Sequence, residues 1–328
     1  MKIPYKRFTF ILEAEEELSL PPYKGSTFRG AFGAQFKKVV CALKKEDCRD
    51  CLLKQRCVYA YIFESHSPAE GNVLGKVNSI PHPFIIEPPA EEQQRYSKGQ
   101  TCSVGLILIG EAIQYLPYFI YTFDLLGKNG IGRGRGRCRL LEVYIVSPHG
   151  ENKSIYSSKT CKVESFDRDC IDLSPSILSV MEGASHPVNN APEEITLKFL
   201  TPARLKYGDN LTMNPEFHVF IRQILRRLYL LNHYYCKDSP VDGGVSGNGY
   251  HRLLIDMAQA TRIKASNLRW CDWERYSRRQ DTRMKLGGFV GDIAYQGDIA
   301  PFLAFIEAGA ILHVGKGTSF GLGKYVVQ

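Results

Sequence analysis

At 328 residues with 44% hydrophobic content, the chain is long enough for two ordinary domains and too apolar for general disorder. Its 42 Lys and Arg against 34 Asp and Glu leave a net charge of +8, which fits an anionic partner, although such an excess also occurs in proteins that bind no nucleic acid. No run of about 18 apolar residues occurs, and Met1 to Phe10 mixes Lys2, Lys6 and Arg7 into a strand-like alternation, so neither a membrane span nor a signal peptide is expected. Ten cysteines would suit a secreted disulfide scaffold, but a chain this long needs no staples, and four of the ten fall between positions 41 and 57. A reducing cytoplasm is the expected setting.

Residues 5–14 alternate as a strand, and Ser26 or Thr27 can cap a helix with the apolar stripe Phe28, Phe32, Phe36, Val39 and Val40. The opposite stripe carries Arg29, Gly33 and Lys37. A cysteine-rich insertion follows. Strand-like runs come next at 84–87 and 104–109, then a helix at 116–126, a loop dense in glycine and arginine, and a strand at 138–146. Residues 151–193 are rich in Ser, Pro, Asn and Asp with little periodicity, and read as a linker or irregular segment.

The second half begins with a strand at 195–200, and Asn214 with Pro215 starts a helix burying Phe217, Phe220, Ile221, Ile224, Leu225, Leu228 and Leu231. Strands near 258–273 and 289–295, a helix at 299–307 and a strand at 324–327 complete it. Each half therefore reads strand, helix, two strands, helix, strand. The predicted fold is α+β: two tandem ferredoxin-like βαββαβ domains, residues 1–150 and 194–328, with a cysteine-rich insertion in the first.

Each half also carries a glycine-rich basic loop. In the first, Arg133, Arg135, Arg137 and Arg139 recur every second residue, so an extended backbone would present all four guanidinium groups on one face. Such a row suits phosphates, because arginine pairs with phosphate oxygens and releases condensed counterions; the plainer reading is a solvated hairpin whose arginines reach scattered carboxylates. The second loop, Gly315 to Lys324, bears Lys316 and Lys324 but lacks the Gly-Lys-Ser/Thr ending and following helix of a phosphate-binding loop in nucleotide triphosphatases. Two further basic groups fit RNA or an ordinary exposed face equally. One is a helix stripe of His218, Arg222, Arg226, Tyr229 and His233; the other surrounds Arg279 and mixes Arg275, Arg278, Arg283 and Lys285 with Trp270, Trp273 and Tyr276.

Cys41, Cys48, Cys51 and Cys57 can give four thiolates to one ion, the closed tetrahedral set of structural zinc. An iron-sulfur cluster uses the same ligands, and free cysteines gathered by chance are the third reading. The role expected is structural.

The ending His313-Val314-Gly315-Lys316-Gly317-Thr318-Ser319-Phe320-Gly321-Leu322-Gly323-Lys324-Tyr325, with Gly287 to Gly291 and Tyr295-Gln296-Gly297-Asp298 before it, resembles the CRISPR-associated precursor-RNA processing endoribonucleases of the RAMP superfamily. That resemblance implies a partner, CRISPR repeat RNA, and a cut without catalytic metal in which a ribose 2′-hydroxyl attacks the neighbouring phosphate. CRISPR effector-complex proteins are the other partners it suggests. Non-catalytic RNA-binding subunits of such complexes share the glycine loop and form the alternative. Transesterification needs a base, an acid and a cation. His313 beside the second loop is one candidate, against the reading of a strand-end histidine satisfied by backbone. Tyr23 and Lys24 precede the first helix where the family often keeps acid-base groups, against a tyrosine packed on Pro21 and Pro22 and a solvated lysine. Many members also place a histidine on or beside that helix; this chain has none before His66.

Overall fold

The computed structural model describes residues 1–44, 47–48, 50–64, 80–146, 152–182, 192–208, 210–236, 249–272, 274–277 and 282–328. These divide into two compact units, Pro4–Asp169 and Met1–Ile3 with Cys170–Gln328.

The unit starting at Pro4 contains β1 (Lys2–Ala14, its first two residues lying before the division), β2 (Leu18–Ser19), α1 (Gly25–Val40), α2 (Val58–Phe63), β3 (Phe84–Glu87), β4 (Arg95–Tyr96), β5 (Thr101–Ile109), α3 (Leu116–Asn129), β6 (Cys138–Ile145) and β7 (Lys153–Ser157). Its antiparallel sheet runs β3-β5-β1-β6-β7. Phe8 pairs with Leu106 on one side and Ile145 on the other. Alternation along β1 turns Phe8, Phe10, Leu12 and Ala14 into the core, where Phe28, Phe32 and Phe36 of α1 meet them. The Phe32 ring lies 5.1 Å from Phe119 and 5.0 Å from Phe123 of α3. Burying one such ring is worth roughly 1.5–3 kcal/mol, so this aromatic column fixes both helices on the sheet.

The expected cap at Ser26 or Thr27 is not formed. The helix starts at Gly25 with Lys24 at the cap position and no side-chain cap bond, because Lys24 turns inward instead, only 1% exposed, and donates from Nζ to the Glu91 carbonyl at 2.6 Å. A tertiary contact thus takes the place of local capping.

The other unit contains β8 (Asp169–Asp172, straddling the division), α4 (Ser174–Met181), β9 (Glu194–Ala203), β10 (Lys206–Tyr207), β11 (Asn210–Leu211), α5 (Phe217–Tyr235), α6 (Gly249–Ala258), β12 (Arg262–Cys271), β13 (Glu274–Ser277), β14 (Thr282–Lys285), β15 (Gly288–Gln296), α7 (Leu303–Leu312) and β16 (Tyr325–Val327). Its antiparallel sheet runs β12-β15-β9-β16. The helix α5 buries every apolar position expected of it. It also buries Arg227, whose Nε donates to the Leu312 carbonyl at 2.9 Å at the end of α7; desolvation lowers this guanidinium to about 9.

If the strands of each strand-helix-strand-strand-helix-strand string are numbered 1 to 4, both sheets have the order 2-3-1-4, with β7 added at one edge. Residues 151–193, expected as linker or irregular segment, hold β7, β8 and α4 among those described, and the division falls inside them at Asp169 and Cys170. Elements of five, four and eight residues are too short to show a period. The helix α6 was not expected, and α7 begins four residues later than the apolar pattern suggests. Among the described residues no helix is long and apolar enough to cross a membrane.

Candidate nucleic-acid interface

The first glycine loop leaves α3 at Gly130 and closes as a tight turn, with Ile131 N donating to Gly136 O at 3.0 Å and Arg133 N to Ser19 O at 2.8 Å. The extended arginine row is therefore corrected. Positive φ at Gly132, Gly134 and Arg135 folds the segment, which holds only isolated bridges, Ser19 with Arg133 and Ile131 with Gly136, before β6 begins at Cys138. A Cβ at Gly132 would collide with the Ser19 carbonyl, whereas Gly134 at the tip faces open space. Arg133, Arg135, Arg137 and Arg139 are all exposed but differ electrostatically. Arg137 pairs with Glu16 at 2.6 Å and Arg139 with Glu13 at 2.9 Å, and the Arg137 bonds hold the Glu16 carboxyl below its ordinary range. Among the described residues Arg133 and Arg135 have no acidic partner. The turn thus offers two uncompensated cations on either side of one glycine.

The second loop is bound to the end of β9. Lys316 N donates to Arg204 O at 3.1 Å, Gly323 N to Pro202 O at 3.0 Å, Thr201 Oγ1 to Gly321 O at 2.8 Å, and Lys324 N to Thr201 Oγ1 at 2.9 Å. Thr318, Ser319, Phe320 and Leu322 are buried, Lys324 is half-buried and Lys316 is exposed. Arg204, half-buried beneath the loop with its guanidinium lowered by desolvation, carried no signal in the sequence. His313 caps α7 at φ 59° and is 1% exposed. Its Nδ1 faces the Leu322 carbonyl at 3.1 Å, and since a carbonyl only accepts, that nitrogen carries the proton. The ring ties the two ends of the loop. Its burial and its bond to a backbone carbonyl fit the reading of a histidine satisfied by backbone.

At the start of α1, Tyr23 is half-buried and desolvation raises its phenol well above the usual range. Burial lowers the Lys24 amine, with Glu91 acting in the opposite sense, so Lys24 is not the solvated lysine of the simpler reading. Tyr96 Oη donates to Glu91 Oε1 at 3.4 Å. The fold supplies what the sequence lacked: His82, just before β3, brings Nε2 to 3.3 Å from Arg29 on α1. Arginine has only donors, so this Nε2 accepts. Arg29 also lies 5.0 Å above the Phe63 ring, and Lys37, two turns on, lies 5.5 Å from the Tyr59 ring. A histidine 53 residues from its partner in sequence leaves no spacing to read.

The expected stripe along α5 is partly dismantled. Arg222 and His233 are exposed and Arg226 is half-buried, but Tyr229 is 3% exposed and His218 lies 3.2 Å from Glu216. Arg279 lies outside the described residues, as do Trp273 and Arg278. Cys41, Cys48, Cys51 and Cys57 all line one cavity of about 10 Å³, together with Asp47, Lys54, Tyr59 and Ala60. Among the described residues no group of three or more His, Cys, Asp or Glu stands in geometry that holds a metal ion.

Residues 3–167, half of the chain, match the AF_1859_N family, an N-terminal domain, and residues 197–325 match the family described as CRISPR-associated endoribonuclease Cas6. An uncharacterized protein of Archaeoglobus fulgidus is 24% identical over 318 residues, covering 94% of this chain and 93% of its own. Among solved structures, a Cas6 product complex superposes with a TM-score of 0.56 at 16% identity, over 99% of this chain and 100% of that one. Thermus thermophilus Cas6 gives 0.52 at 14% identity, over 99% of each chain. A partial Cas6-RT-Cas1–Cas2 complex gives 0.58 at 15% identity, over 99% of this chain and 46% of that one. At these identities the structural likeness speaks for the fold, a mixed α/β arrangement of antiparallel sheets. The family matches make the chain a member of the AF_1859_N family over residues 3–167 and a CRISPR-associated Cas6/RAMP-type protein.

Proposed function

We propose that the chain is an endoribonuclease that cuts CRISPR precursor RNA within its repeats, built as two tandem ferredoxin-like domains. The shared 2-3-1-4 strand order supports the domain reading. The observation that carries the activity is the Cas6 match over residues 197–325, which takes in the whole second glycine loop. In the unit starting at Pro4, RNA phosphates meet the exposed cations of the Arg133-Gly134-Arg135 turn; in the other unit, taken by itself, exposed Lys316 offers one further phosphate contact.

In the proposed reaction a base removes the ribose 2′-hydroxyl proton, the 2′ oxygen bonds to the adjacent phosphorus, and the bond to the 5′ oxygen breaks as an acid protonates it. A cyclic phosphate and a 5′-hydroxyl result. All roles fall to side chains, with no catalytic metal. Arg29 meets the phosphorane charge, and as it turns to the phosphate it releases the His82 Nε2 that it now faces, leaving that nitrogen as the base. Tyr23, kept protonated by desolvation, is the acid, and its chain neighbour Lys24 anchors that backbone through its bond to the Glu91 carbonyl. Proteins of a CRISPR complex are the further partners this reading implies.

The test is incubation of purified protein with labelled repeat RNA in EDTA. Cleavage leaving a cyclic phosphate, abolished by a 2′-deoxy substitution at the cut, is the expected result. Under single turnover His82→Ala slows cleavage by about 10²–10⁴-fold with RNA affinity retained; equal rates would remove His82 from the site. The burial of His313 favours a second reading, a non-catalytic RNA-binding subunit, for which tight binding with intact RNA is the signature.

A further inference from the structure

The segment from Cys41 to Cys57 has, among its described residues, almost no hydrophobic support of its own. Val40 before it and Val58, Tyr59, Ile62 and Phe63 after it join the core, but no described residue from 41 to 57 does. Leu52 is 90% exposed, with Leu43 at 43% and Leu53 at 39%. Among the segment's described residues, regular structure amounts to a single 3-10 turn, Lys54–Arg56, in which Lys54 N donates to Cys51 O at 3.0 Å. A loop leaving the core this way is poorly determined unless something other than apolar burial ties it.

What the segment does have is four thiols around one hole. The cavity is bounded by Cys41 at the end of α1, by Cys48 and Cys51 in the loop, and by Cys57 at the start of α2. All four are reduced and partly buried. The hole, about 10 Å³, is close to one water-sized sphere. Four thiolates on one divalent ion leave two excess negative charges, and cations lie close: Lys54 lines the cavity, and Lys37 on α1 interacts with Cys48. That arrangement resembles the outer groups that steady a thiolate-bound metal.

We propose that Cys41, Cys48, Cys51 and Cys57 bind one structural zinc ion, which closes the segment and joins the end of α1 to the start of α2. The thiols surround the hole without yet converging, so binding draws them in by side-chain rotation to the Zn–S distance of about 2.3 Å. Four thiolates fill the tetrahedron and leave no open position for substrate or water, so the ion serves the fold and not the chemistry. Its partners deprotonate on binding, which makes uptake weaken in acid.

The full chain, purified without chelator, is measured for zinc, iron and acid-labile sulfide, and after metal removal is titrated with cobalt(II). The result expected is about one zinc per chain, retained by Cys161→Ser, whose cysteine is exposed elsewhere, and lost in Cys48→Ser and Cys51→Ser. Cobalt should give the intense thiolate charge-transfer absorption of a four-sulfur tetrahedral site in the unaltered protein, a readout that does not depend on the variants folding. Absence of both zinc and cobalt uptake overturns the proposal. So does zinc retained in the Cys48 and Cys51 variants, and so does iron with stoichiometric sulfide on these cysteines. None of these readings involves RNA, so the zinc site and the nuclease stand or fall separately.

Discussion

The two glycine loops read alike in sequence and are built differently. In residues 315–323 the backbone is closed against the protein's own β9, with buried Thr318, Ser319, Phe320 and Leu322 and a histidine tying its ends. In residues 130–136 the glycines at the base approach the Glu17–Ser19 backbone, but Gly134 at the tip faces open space between two exposed arginines that have no acidic partner among the described residues. Glycine in a sequence announces that something comes close to the backbone; it does not say whether that is the same chain or a ligand. On the proposed RNA-binding reading the charges separate the two, because a cation already matched to Glu16 or Glu13 has less to offer a phosphate than one that is not.

The largest effect that would break this contrast is on stability. At Gly323, φ is 72° and a Cβ would run into the Val314 carbonyl, so Gly323→Ala should cost about 4 kcal/mol or more in chemical denaturation. Gly134→Ala, at φ 83° in open space, should cost only about 1 kcal/mol for its left-handed backbone. Similar losses at the two sites would show that the second loop is no more tightly built than the first.

A smaller effect is on RNA affinity. Replacing Arg133 and Arg135 together by alanine should make the slope of log affinity against log salt shallower by about 1.4, as for two phosphate contacts to a single strand, with thermal stability unchanged. The pair Arg137 and Arg139, already matched to carboxylates, should give less than half of that change, and an equal change would erase the distinction drawn from ion pairing. Smallest of all, Lys316→Ala should shift the slope by about 0.7, the share of one phosphate. No shift would leave the second loop a purely structural closure.

The sequence by itself determined the alternation that makes β1 a strand, the aromatic stripe of α1 and the apolar face of α5, because each is a local period enforced by burying one face. It also determined the two repeated strings of elements and the resemblance in the last loop. The cap of α1 was not legible: Ser26 and Thr27 are good capping residues, and a buried lysine bonded 67 residues away replaced them. Nor was the arginine row, since extended spacing means one face only when the backbone is extended, and three positive φ angles fold it into a turn. Only the tertiary structure decided that His313 is enclosed, that Arg204 underlies the second loop and that His82 meets Arg29 beside α1. Each depends on a contact between residues distant in the chain, and no periodicity or spacing encodes where a folded chain returns to itself.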